Sequence, residues 1–233
     1  MANQEHLQAV TQGPEHFANW RDENPDAILD LEGANLTGVD LRQSKIRKAN
    51  LRGANLTDAK LAKVNLAGAN LEGANLTGAD LFRAGLTGAN LSGADLTNVN
   101  LFWADLKQAN LNGATLKLSR MVRTSFINAD MTGADLSMSN MLEADLRNSN
   151  LTGSNFHSAN MNGADVSRAM MTGADFTQAS IRDSMWIMTD MRGATFKDSS
   201  LHRADMSMAR YDDTTVLPNG FDPSDTGWKD VEG

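Results

Sequence analysis

Histidines at positions 6, 16, 157 and 202 are the only side chains here that ordinarily titrate near neutrality, so a hydrolytic triad or a zinc site would have to start from them. The chain has no cysteine, which removes thiol catalysis, disulfides and the common zinc spacings. His157 and His202 fall on outward positions of different sides of the repeat described below. His6 and His16 precede it, and the four assemble neither a triad nor a metal set. Asn and Asp recur at fixed places, as at Asn70, Asn75, Asp80, Asn90 and Asp95, and regular carboxylates suggest calcium. The spacing is not that of the glycine-rich nonapeptide of calcium-loaded β-rolls, and short Asx side chains bind neighbouring backbone amides at turns. No catalytic residue, metal or cofactor is called for, and the chain reads as a non-enzyme.

Two surface sets remain. The first is basic: Arg42, Lys45, Arg47, Lys48, Lys60, Lys63 and Arg83 cluster early, as a solvated edge or as the seat of an anionic partner. Little aromatic interleaving accompanies them, which argues against nucleic acid. The second is apolar. Arg42, Ala62, Phe82, Phe102, Val122, Leu142, Asn162, Arg182 and His202 follow one another at 20-residue steps, with four apolar residues in the middle. Trp103 beside Phe102, with Leu118 and Met138 at the adjoining corner, would widen the row into a patch. Phe82, Phe102, Trp103, Leu118, Val122, Met138 and Leu142 are therefore the candidate interface, for a protein partner or for a second copy in a homodimer. In the other arrangement, arginine stems or the terminal segments fold over it.

A repeat must position these residues. From Leu31 to Tyr211 an apolar centre returns every five residues without insertion, 37 times, as in "ANLEGANLTGADLFRAGLTGANLSGADL". Two residues before each centre lies a small side chain such as Ala34, Ala54 or Ala69. Five fits neither strand nor helix periodicity, so the chain must turn a corner at each pentapeptide and wind a coil around the centres. Glycine fixes the coil length: it occupies all nine positions from Gly33 to Gly193 at 20-residue steps, so four pentapeptides close one turn. Such a column should mark the corner that most regularly takes positive φ. Coils stacked about 4.8 Å apart give a rod of roughly 43 Å.

The pattern resembles that of the pentapeptide repeat proteins. "HFANWRDENP" before the repeats and "TVLPNGFDPSDTGW" after them resemble segments bordering bacterial members. The resemblance implies an all-β solenoid, a right-handed quadrilateral β-helix of about nine coils. It also implies an alternative function, because some members mimic DNA and inhibit or protect gyrase and topoisomerase.

Residues 1–30 read as a helical N-terminal cap, 31–211 as the solenoid and 212–233 as an irregular C-terminal cap. Asn3 should cap one short helix and Pro14 start another, while Val216, Leu217, Phe221 and Trp228 should anchor the far cover. The interior changes along the rod: 17 of 18 centres from Leu31 to Leu116 are Leu, against four of 19 from Met121 to Tyr211. Phe156, Phe176 and Phe196 should stack as a ladder. Net charge is -8, yet residues 31–211 carry 19 basic and 17 acidic side chains, so the acidity lies in the ends. Neither a secretory signal nor a membrane span is indicated, and a cytoplasmic protein is expected.

Overall fold

The computed structural model describes residues 2–221 and the backbone of residues 229–230. Its repeat unit follows from accounting for backbone N–H groups. At the first pentapeptide Leu31 N donates to Asn50 O (2.7 Å) and Gly33 N to Arg52 O (2.8 Å), both in the next coil. Ala34 N closes the corner on Leu31 O at 3.0 Å, and Asn55 N, one coil later, returns a bond to Ala34 O at 2.9 Å. The remaining donor, one residue past the centre, is met by the Asx that precedes the centre, as when Thr77 N donates to Asn75 Oδ1 at 2.9 Å. Every donor of such a pentapeptide has an acceptor. The Asx columns are thus explained by backbone need.

Because each side is only five residues long, pairing is a single parallel bridge per pentapeptide, always 20 residues apart, from Asp30 with Asn50 to Asp190 with Arg210. All centres from Leu31 to Phe196 are buried, with the small residues mostly buried beside them, in one continuous core. The core is filled by side chains. Phe176 stacks between Phe156 and Phe196, with ring centroids 4.8 and 5.0 Å away, and Trp186 meets it edge-on at 5.1 Å.

The glycine column does not single out one corner. The residue two past every centre from Leu31 to Met206 has positive φ, on all sides, including Gln43, Lys48 and Trp103, and the non-glycine ones lie between 54 and 62°. The corner bond from Ala34 to Leu31 with positive φ at Gly33 is that of a type II turn. An added Cβ at Gly93 or Gly113 would meet nothing within 4 Å, so crowding does not explain why that corner is always glycine.

Before the coil lie α1 (Gln4–Thr11) and α2 (Pro14–Glu23). Asn3 caps α1 by accepting from Glu5 N and His6 N, and Gly13 with Pro14 turns the chain into α2. Val10, Phe17 and Trp20 join the core cluster with Leu29 and Leu31. Two bonds tie α1 to the first coil: Asn3 N to Asp30 O at 3.0 Å, and Asp30 N to His6 Nδ1 at 2.9 Å.

At the other end the expected loss of pairing does not occur throughout. Val216 bridges Thr195, and β1 (Arg210–Tyr211) pairs in parallel with β2 (Lys229–Asp230). The step from Thr195 to Val216 is 21 residues rather than 20, so one extra residue is absorbed before the ladder resumes. Leu217 and Phe221 pack against the core, whereas the Val216 side chain is exposed and anchors through its backbone. Trp228 lies outside the described residues.

Candidate protein-interaction surface

The apolar row stands on one side of the rod, at the corner after the centres Leu81, Leu101, Met121 and Met141. Consecutive members are held in register by coil pairing: Arg83 N donates to Phe102 O, Trp103 N to Val122 O and Arg123 N to Leu142 O, at 3.0 to 3.1 Å. Phe82, Phe102, Val122 and Leu142 are half-buried. The Phe82 and Phe102 rings stack at 5.8 Å with planes 6° apart, and Trp103 meets Phe102 edge-on at 6.3 Å.

Three large apolar side chains project further. Trp103 is 46% exposed, Leu118 57% and Met138 58%. All three hold positive φ (60, 59 and 57°), a conformation that L-residues take at a cost and that Gly, Asn or Asp would occupy more easily. Leu118 and Met138 stack as neighbours at the opposite corner of the same side, through Leu118 N to Ser137 O at 3.1 Å.

Arginines lie over the rings. The Arg83 guanidinium sits 5.1 Å from the Phe82 centroid and 5.7 Å from that of Trp103. Arg120 is 4.8 Å from Phe102, and Arg123 5.6 Å from Trp103. The flanking cover is therefore real but partial, since Trp103 keeps nearly half its surface. Arg120 and Arg123 were not among the sequence candidates. The available signal was Arg120 itself, which occupies a position where the repeat normally places Asn or Asp.

The basic set is divided by the fold. Lys60, Lys63 and Arg83 share the side of the aromatic row; Lys63 N donates to Phe82 O at 2.7 Å. Aromatic interleaving is thus present around Arg83, contrary to the linear reading. Arg42 starts the same corner row but is held by Asp40, Nε at 2.9 Å and Nη2 at 2.6 Å. That contact keeps the Asp40 carboxyl below its ordinary range, against the pull of desolvation. Lys45, Arg47 and Lys48 face elsewhere and line a cavity of about 590 Å³ against α2, shared with Arg21, Asp22, Asp26 and Ile28.

Among the described residues no three histidine or carboxylate side chains converge as a metal set. No helix among them is long and apolar enough to cross a membrane.

Residues 30–61, 59–98, 100–137, 139–178 and 174–210 match Pentapeptide repeats, in eight copies. Among solved structures the chain is similar to HetL, a pentapeptide repeat protein involved in heterocyst differentiation regulation from the cyanobacterium Nostoc. Identity is 27%, over 88% of this chain and 99% of HetL, with a TM-score of 0.42. QnrB1, a plasmid-mediated fluoroquinolone resistance protein, is 19% identical over 88% of this chain and 90% of its own, with a TM-score of 0.43. A pentapeptide repeat protein of the Arabidopsis thaliana thylakoid lumen is 34% identical over 46% of this chain and 63% of its own, with a TM-score of 0.28. Among curated proteins none matches.

Proposed function

The chain belongs to the pentapeptide repeat family, whose fold is a right-handed quadrilateral β-helix, and we propose that it is a non-enzymatic scaffold whose outer surface binds a protein partner or a second copy. In this reading residues 1–30 close the first coil, residues 31–211 form a solenoid of about nine coils, and residues 212–233 close the far end, each cover shielding an open ladder edge. One observation carries the proposal: Trp103, Leu118 and Met138 are exposed apolar side chains in left-handed backbone, flanking a stacked Phe82 and Phe102. All three expose large apolar surface next to the stacked rings, which supports a role in binding. Among the described residues side chains fill the core, which leaves the outside as the working surface.

Replacing Phe102 by Ser and Trp103 by Thr tests it. The variant should fold normally but lose dimerisation or partner capture. An unchanged mass by light scattering together with unchanged capture would refute the assignment.

A DNA-mimicking modulator or protector of gyrase is the alternative. It has less support, because aspartates that align along the rod are engaged by cations. Asp145 meets Arg147 at 2.6 Å, Asp165 meets the same arginine at 3.6 Å, and Asp105 meets Lys107 at 3.6 Å.

A further inference from the structure

We infer that the aromatic side of the rod docks an acidic segment of a partner protein, one that carries carboxylates interspersed with apolar side chains. This rests on the interaction reading above and adds the chemistry of the occupant. The argument starts from unmatched charge. Six arginines of this rod close on a carboxylate: Arg42 on Asp40, Arg52 on Glu32, Arg123 on Glu143, Arg147 on Asp145, Arg192 on Asp190 and Arg203 on Asp183. Of these, Arg42, Arg123 and Arg203 stand on the aromatic side, Arg123 meeting Glu143 at 2.6 Å. Among the described residues Arg83, Arg120 and Lys63 form no ion pair, while Lys60 acts electrostatically on Asp40, one coil away. The Asp80 carboxylate on this side is bound through Oδ1 by two neutral donors, Asn100 Nδ2 at 2.7 Å and Phe82 N at 3.1 Å.

These guanidiniums are also pre-oriented. Arg83 lies between Phe82 and Trp103, and Arg120 lies on Phe102, so a carboxylate can be met by a planar fork that has little rotamer freedom left to lose. The apolar parts of the same ligand would cover Trp103 and reach toward Leu118 and Met138 at the other corner.

Two other occupants fit less well. A two-fold dimer centred here would bring Arg83 and Arg120 of both copies together, with the Glu143 carboxylate already held by Arg123. Single-stranded nucleic acid needs open ring faces for its bases, and here Phe82 and Phe102 stack on each other and carry guanidiniums.

The test uses the full chain and three fluorescein-labelled probes: a peptide alternating Glu with Leu, its Lys-for-Glu counterpart, and single-stranded oligothymidylate. Anisotropy should show binding of the Glu–Leu peptide alone, weakening as salt is raised. A double Arg83→Gln, Arg120→Gln variant should bind it at least about tenfold less tightly, whereas the Arg→Lys pair should fall between, keeping charge without the fork. Equal binding by the wild type and the Gln pair would overturn the acidic-partner proposal, as would preferential binding of the thymidylate or the Lys–Leu peptide. A dimer abolished by Phe102→Ser, Trp103→Thr but kept by the Gln pair would uphold the interaction surface and overturn its acidic occupant.

Discussion

Trp103 shows how a single position can serve binding against the interests of the fold. Its backbone is left-handed and its indole nearly half exposed, and its return within the molecule is the contact with Arg83 and Arg123. Such exposed cation–π contacts are worth about 0.5–1 kcal/mol each, while left-handed backbone costs a similar amount. Trp103→Asn should therefore leave thermal stability within a few degrees of wild type while removing partner or self-association, as measured by calorimetry and light scattering. Asp190 is the opposite case, a residue that serves the fold. Arg192 bonds it through Nε at 2.8 Å and Nη2 at 2.6 Å and holds its carboxyl below the ordinary range, although burial pulls the other way. A carboxylate whose pKa is lower when folded contributes stability that is present above the unfolded value of about 4 and is lost as pH falls through the lowered folded value. Asp190→Asn should thus lower the melting temperature at neutral pH and reduce its decline on acidification, which circular dichroism across that window can follow.

Among the elements, the phenylalanine ladder and the terminal helices are the most exposed to failure. Phe176 is fully buried, stacked on two phenylalanines and met by Trp186, so Phe176→Ala removes contacts on three sides. Urea unfolding should register a loss of about 3–5 kcal/mol, and Phe176→Leu a smaller one, since leucine is what the first half of the rod places at such centres. Removing residues 1–24 would expose the backbone groups of the first coil and strip Val10, Phe17 and Trp20 from the core. The shortened chain should self-associate edge to edge, seen as mass rising with concentration; a monodisperse monomer would show that the helices are not needed to shield that edge. The helices themselves were legible, because an Asn cap and a Gly-Pro junction are local signals. The resumption of pairing at Val216 was not, because a one-residue insertion hides it from a fixed 20-residue reading.

At the scale of the whole molecule the sign of the charge matters less than its placement. The acidic excess lies in the two ends, and aspartates of the body are interleaved with arginines and lysines that neutralise them. These ion pairs interrupt the aspartate columns, which weighs against a DNA-like stripe. Purified gyrase should supercoil DNA normally at micromolar concentrations of this protein, with quinolone poisoning unrelieved. Potent inhibition would mean that the ion pairs open on contact and free the aspartate columns.

The sequence alone determined everything that depends on spacing. An odd five-residue repeat with an apolar centre cannot be buried except by turning a corner each time, and a 20-residue recurrence leaves one coil length. Which residues stack above one another follows from that, so the phenylalanine ladder and the Phe82, Phe102, Val122 and Leu142 row could be read off the chain. Only the tertiary structure decided what happens at the surface between rows. Arg120 lies 18 residues after Phe102 and Arg123 20 after Trp103; the period brings them alongside, but the direction their flexible side chains take over the rings is set by local packing and charge. The same holds for the basic cluster: Arg42 is close in the chain to Lys45, Arg47 and Lys48, but the corner at Gln43 puts Arg42 on the aromatic side and leaves the other three lining one cavity against α2.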